Sequence, residues 1–220
     1  MDGRENAAKK AVEYAKSGMV VGLGTGKTSE IFIKLLAKKV KEKRMKIVCV
    51  PTSMRTERVA KKAGLVIRKL NEVKGVDLAV DGADQVDRKL NLIKGYGGAL
   101  FREKIVDYAA RKFIVVVDES KLREELGGWV PLEVSPFAVE QVRREVRRMG
   151  VMTRVRIKNG RVFVTDNKNL IVDVYFERIN NPKRLNEMLK EIPGVIETGL
   201  FVEKVWKVVV GSKAGVKLLS

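Results

Sequence analysis

Two aspartates three residues apart, Asp81 and Asp84, enclose a glycine and an alanine in the stretch DGAD, directly after the apolar run VDLAV. Lys94 then opens the glycine-rich KGYGGA, and Glu103 stands in the REK that follows it. Carboxylates gathered with an ammonium in a partly desolvated cleft tune one another. Like charges raise carboxyl pKa values, while a cation or a helix N-terminus lowers them. Such a balance can make a general base without histidine, and none of the 220 residues is histidine. Gly82 and Ala83 leave nothing bulky between the two acids, so a ligand can approach the backbone. The same residues are open to other readings. Asp84 can cap a turn, Glu103 and Lys104 can form a solvated helix face, and Lys94 can be surface. Paired carboxylates can also hold magnesium, which favours oxygen ligands, although the local lysines would compete for them.

The elements that must position these residues follow from hydrophobic periodicity. Helical patterns near Glu5 to Ser17, Ser29 to Lys43, Arg55 to Ala63 and Leu100 to Lys112 alternate with the apolar runs MVVGLG, MKIVCV, LVIRKL, VDLAVDG and FIVVVD. Strands apolar on both faces and separated by helices predict an α/β fold, a doubly wound, mostly parallel Rossmann-like sheet. In such sheets ligands bind outside the carboxyl ends of the strands. GLGTGKT, PTSMRT, DGAD and DESK each come directly after one of the runs, which predicts their convergence at one sheet edge.

From Pro131 the pattern changes to strand, helix, two strands, helix, strand, with turn signals at KNG and NKN and a helix over PKRLNEMLKEIPG. This order predicts a smaller α+β split-βαβ (ferredoxin-like) domain. The last segment, WKVVVGSKAGVKLL, reads as one buried strand returning to the first sheet. The expected domains are therefore 1–129 with 205–220, and 130–204, the latter a possible oligomer interface.

Composition excludes several function classes. The lack of histidine removes His-based triads and His-ligated metals, and the lone Cys49, inside KIVCVP, allows no intramolecular disulfide. No apolar stretch is long enough to span a bilayer. A soluble cytoplasmic protein without membrane contact is expected. The net charge of +18 fits an anionic small molecule or a heat-adapted surface. Basic residues are interleaved with acids, as in KKVKEKRMK, rather than gathered in a tail or alternated with aromatics, so nucleic acid is not the expected partner.

GLGTGKTS resembles a nucleotide loop but fails both templates. A P-loop would need glycine at Val21, and a dinucleotide fingerprint would need it at Lys27 or Ser29. What remains is a strand ending in Gly22, Gly24, Thr25 and Gly26 that opens a helix at Thr28 or Ser29. Its free amides suit a single phosphate, or it is a tight turn that binds nothing.

Taken together, GLGTGKTS, VPTSMRTERVAKKAGL, VDGADQVDRKLNLIKGYGGALFREK, FIVVVDESK, PLEVSPFA, TDN and IPGVIETGLFV resemble, in order and over nearly the whole chain, ribose-5-phosphate isomerase of the A type. That family's motifs are GTGST, DGADE, KGGGGA or KGGGAA followed by REK, and D-x-SK. The resemblance implies interconversion of ribose 5-phosphate and ribulose 5-phosphate in the pentose phosphate pathway, with no metal or organic cofactor, by a protein that forms dimers or tetramers. It implies that Glu103 is the base, that Asp81 and Asp84 bind sugar hydroxyls and orient or shuttle the oxygen-bound proton, and that Lys94 offsets the oxyanion. It implies a phosphate cradle of Thr25, Gly26, Thr28 and Lys9, with Gly95, Gly97 and Lys121 as further substrate contacts. Lys27 and Tyr96 depart from the pattern, where the family usually has serine and glycine. On the same fold, sugar-responsive sensors would bind without turnover, and acyl-CoA transferases would need a catalytic Glu in another setting.

Overall fold

The computed structural model describes residues 3–220. In chain order its elements begin with α1 (Gly3–Val12), β1 (Val20–Leu23), α2 (Lys27–Glu42), β2 (Val48–Pro51), α3 (Met54–Lys62), β3 (Val66–Ile67), β4 (Val76–Asp81), β5 (Gln85–Val86) and β6 (Leu92–Ile93). They continue with α4 (Leu100–Ala109), β7 (Ala110–Asp118), β8 (Gly128–Val134), α5 (Val139–Arg147), β9 (Met152–Val155), β10 (Ile157–Lys158) and β11 (Arg161–Val162). The last are β12 (Leu170–Phe176), α6 (Pro182–Lys190), β13 (Val195–Thr198), β14 (Leu200–Phe201), β15 (Lys207–Gly211) and β16 (Val216–Leu219). Two compact units result: the chain up to Ala83 with Arg102–Leu122 and Lys204–Ser220, and Asp84–Phe101 with Arg123–Glu203.

The first unit is α/β. Its sheet runs β16-β15-β7-β4-β1-β2-β3, and every neighbouring pair is parallel except β15 with β16. Side chains alternate across a strand. Val21 and Leu23 of β1, with Leu78 and Val80 of β4, therefore pack in one cluster with Phe32, Ile33 and Leu36 of α2. Full burial of each such side chain contributes about 1.5–3 kcal/mol. The intervening residue Gly22 meets α4 instead, where a Cβ would lie 2.7 Å from Val106 Cγ1. Helices thus cover both faces, and this is why β4 and β7 read as continuous apolar runs. The strands β1, β2, β4 and β7 end at Leu23, Pro51, Asp81 and Asp118. The parallel pairing puts these ends, with the glycine-rich and polar segments that follow them, at one edge of the sheet.

The second unit is built on an antiparallel sheet in the order β13-β8-β12-β9. Val130, Leu132, Val172 and Val174 form its core with Val142 of α5 and Leu189 of α6. Two smaller sheets join it, β14-β6-β5 and the β10-β11 hairpin.

Three expectations are corrected. Residues 84–101 and 123–129 group with the second unit, because β6 pairs with Leu200 and Phe201 of β14 and Gln85 Nε2 donates to Gly127 O at 2.6 Å. The last segment is a hairpin rather than one strand, since Gly215 turns it back and Ser212 N donates to Gly215 O at 2.8 Å. Helix α4 stops at Ala109, and β7 takes up Ala110 to Lys112 by pairing with β4. No helix among the described residues is long and apolar enough to cross a membrane.

Candidate active site

Asp81 ends β4 with its side chain fully buried. Its Oδ1 accepts from Gly82 N (2.7 Å), Thr25 N (3.0 Å) and Ser29 Oγ (3.1 Å). Three donors on one oxygen fix the carboxylate's orientation. The side chain reaches sideways over the end of β1, into the space a side chain at position 24 would occupy. A Cβ on Gly24 would lie 1.9 Å from Asp81 Oδ1. Glycine at 24 is therefore a condition for aspartate at 81.

The turn after β1 then enters α2. Gly26 has φ 135°, a backbone state that favours glycine, and open space faces it where a side chain would be. Lys27 and Thr28 lie in the helix's first turn, whose amides have no partners within the helix. Lys27 is exposed and Thr28 partly buried. Thr25 stands at the turn itself, partly buried. Its hydroxyl faces Thr52 Oγ1 (2.8 Å), Ser53 Oγ (2.8 Å) and Thr56 Oγ1 (3.0 Å), tying this turn to the N-terminus of α3. Ser53 caps that helix by accepting from Thr56 N at 3.0 Å. Lys121 sits just beyond β7 in a short turn, where Asp118 Oδ1 accepts from Ser120 N at 3.0 Å. Lys9 is on an exposed part of α1 and pairs with Glu5 at 2.9 Å.

Glu103 is in the first turn of α4 and only 3% exposed, with Lys104 and Asp107 also buried. A solvated helix face is thereby excluded. Helix α4 leads into the start of β7, so it runs against the strands, and its N-terminal turn lies toward their carboxyl ends. Val106 touches the sheet at Gly22, and Glu103 is nearly one turn closer to the edge that holds Asp81. Asp107 lies one turn below Glu103 on the same helix face.

In the second unit Lys94 is 2% exposed, its Nζ 5.3 Å from the centroid of the Phe201 ring. Burying an ammonium is costly, so the surface reading of Lys94 fails. Lys94 N donates to Gly199 O at 2.8 Å, and Gly98 N to Gly95 O at 3.0 Å. Asp84 is half-buried, and its Oδ2 accepts from Tyr96 N at 2.9 Å. Gly95 is buried and Gly97 exposed. Among the described residues no group of three or more His, Cys, Asp or Glu side chains is arranged to hold a metal ion.

A family model described as ribose 5-phosphate isomerase A (phosphoriboisomerase A) matches residues 48–215. The chain belongs to this family. The ribose-5-phosphate isomerase A of Methanococcus aeolicus is 43% identical over 99% of this chain and 94% of that protein. The one of Streptococcus gordonii is 44% identical over 98% and 96%. The structure of ribose 5-phosphate isomerase A from Methanocaldococcus jannaschii superposes with a TM-score of 0.95 at 41% identity, covering 99% of this chain and 97% of that one. A D-ribose-5-phosphate isomerase in complex with phospho-erythronic acid gives the same TM-score at 42% identity, with the same coverage. The chain is thus an isomerase enzyme.

The geometry accounts for one departure from the family's glycine-rich loop. Gly95 (φ 103°) and Gly98 (φ 80°) occupy the left-handed region, whereas Tyr96 does not. A side chain at 96 is therefore tolerated, and the Tyr96 hydroxyl donates to Trp129 O at 3.0 Å. Burial pushes the phenol pKa up, as do the charges of Asp84 and Asp173, against Arg156 and Arg123. Ser29, Thr52, Ser53, Thr56 and Asp107 were not singled out from sequence. The position of PTSMRT at a strand end was the available signal for three of them.

Proposed function

We propose that this enzyme interconverts ribose 5-phosphate and ribulose 5-phosphate by carboxylate-catalysed proton transfer, without a metal or organic cofactor, as a step of the pentose phosphate pathway. The observation that carries the reading is the placement of two buried acids, Asp81 and Glu103, toward the same edge of the first unit's sheet. The related enzyme bound to phospho-erythronic acid supports a phosphorylated sugar as the substrate here.

In this mechanism the carboxylate of Glu103 removes the proton from C2 of the open-chain aldose. The electrons move toward the carbonyl, an enediolate forms, and the same carboxyl returns the proton to C1. Asp81, already held through Oδ1, orients a sugar hydroxyl and its proton. Asp84 follows three residues later, a span of at most about 10 Å, and takes the corresponding role at the neighbouring oxygen. The Lys94 ammonium offsets the oxyanion that develops. The α2 N-terminus, with Gly26 and Thr28, suits the phosphate through backbone amides, and Lys9 and Lys121 supply cations. Thr25 joins this phosphate cradle while its hydroxyl holds the turn, and Gly95 and Gly97 let the loop come close to the sugar.

The test is conversion of ribose 5-phosphate in the presence of EDTA by wild type, Glu103→Gln and Asp81→Asn, with circular dichroism as a check on folding. Turnover that survives the chelator and drops by about 100-fold or more in Glu103→Gln supports the reading. Folded variants of undiminished activity would overturn the assignment. A sugar-phosphate sensor would bind and show no turnover.

The second unit's strand order suits a split-βαβ domain. Exposed Met152, Ile157 and Val162 on it suit an interface of a homodimer or homotetramer, which sedimentation would check. A cytoplasmic location accords with the single, buried Cys49.

A further inference from the structure

Arg156, in the short connection between β9 and β10, is joined to two different things. Its Nε donates to Asp173 Oδ2 at 3.0 Å and its Nη2 to Asp173 Oδ1. Its Nη1 donates to the carbonyls of Gly95 (2.7 Å) and Tyr96 (3.2 Å). Both side chains are largely enclosed, at 14% and 3% exposure. A planar guanidinium can serve a carboxylate on one side and two carbonyls on the other, whereas an ammonium cannot reproduce that fork. The peptide so gripped is the one whose Tyr96 N–H holds Asp84 Oδ2 and which follows Lys94 directly.

We infer that Arg156, locked by Asp173, is a positioning residue for catalysis: it fixes the Gly95–Tyr96 peptide and through it the orientation of Asp84 and of the turn that carries Lys94. Asp173 lies on β12 and pairs in register with Arg154 on β9, so the clamp is anchored in the sheet rather than in a loop. Arg154 stacks on Trp129 at 4.0 Å and approaches Asp173 only to 3.8 Å, so it does not replace Arg156. The inference rests on the isomerase reading and on the roles proposed there for Asp84 and Lys94.

The test compares Arg156→Lys, Arg156→Ala and Asp173→Asn with wild type and Glu103→Gln, measuring kcat and KM for ribose 5-phosphate alongside thermal melting. Arg156→Ala should lose about 10- to 100-fold in kcat with KM changed much less. Arg156→Lys should be folded and still impaired, and guanidinium ion at low, non-denaturing concentration should restore part of the activity of Arg156→Ala. A lowered melting temperature with wild-type kcat in both arginine variants would mean that the pair only braces the sheet, and would overturn the inference. A folded Arg156→Lys with undiminished kcat would do the same even if Arg156→Ala does not fold. If wild type itself fails to turn over the sugar phosphate, the isomerase reading falls; if wild type is active, Glu103→Gln is dead and Arg156→Lys is normal, only the clamp does.

Discussion

Gly24 and Asp81 exclude any side chain at one of the two positions: the carboxylate of Asp81 occupies the place where a Cβ on residue 24 would be, 1.9 Å from its Oδ1. Gly24 cannot gain a side chain while the Asp81 carboxylate stays in this position. Gly24→Ala should therefore displace the carboxylate or the β1 end, lowering kcat by about 10-fold or more and destabilising by about 1–3 kcal/mol. Ser29→Ala removes one of three donors and leaves the space open, so a loss of about 1 kcal/mol is expected. Denaturant titration and initial rates on both variants would distinguish them.

The two departures from the family pattern should be separable. Lys27 is exposed in the first turn of α2, and Lys27→Ser should leave the melting temperature nearly unchanged, any effect showing in KM for the phosphorylated substrate. Tyr96→Phe deletes only the hydroxyl that donates to Trp129, so it should cost about 1 kcal/mol of stability and little of kcat. A large drop in kcat for Tyr96→Phe would give that hydroxyl a part in the chemistry.

Burial pushes the Cys49 thiol up to about 12. In the unfolded chain it titrates at about 8.5. Between those values the native state keeps a proton that the unfolded state gives up, so Cys49 takes away stability as pH rises, by at most about 1.4 kcal/mol per pH unit. Below about pH 8 it has no such effect. Urea midpoints from pH 8 to 10 should fall less steeply for Cys49→Ala than for wild type. A thiol reagent should label Cys49 only as the protein unfolds.

The net charge of +18 should draw in a phosphorylated sugar over distances that salt screens. The expected result is a fall in kcat/KM with ionic strength while kcat stays nearly constant. A flat response would mean that the excess charge serves something other than encounter.

Much of the first unit was legible because its signals are local. VDLAV reads as a buried strand from its own residues, and DGAD directly after it must lie at the strand's end. The short pairs β5, β6 and β14 carried no such signal: two residues have no period to read, and these strands exist only because Leu92 and Ile93 find Leu200 and Phe201 far along the chain. For this reason the segment from 84 to 101 reads from sequence as part of the first unit, whereas it groups with the second.

The sequence by itself determined the alternation of strands and helices, the acids at a strand end, and the exclusion of any histidine base, since these depend on residue type and near spacing alone. Tertiary structure alone decided which way those groups turn. The Thr25 hydroxyl faces Thr52, Ser53 and Thr56, and Lys94, readable as surface, is buried against Phe201. Arg156 reaches a carbonyl 61 residues away. Partners at such separations are chosen by packing of the whole sheet, because a buried polar group must be satisfied by whatever the fold brings beside it.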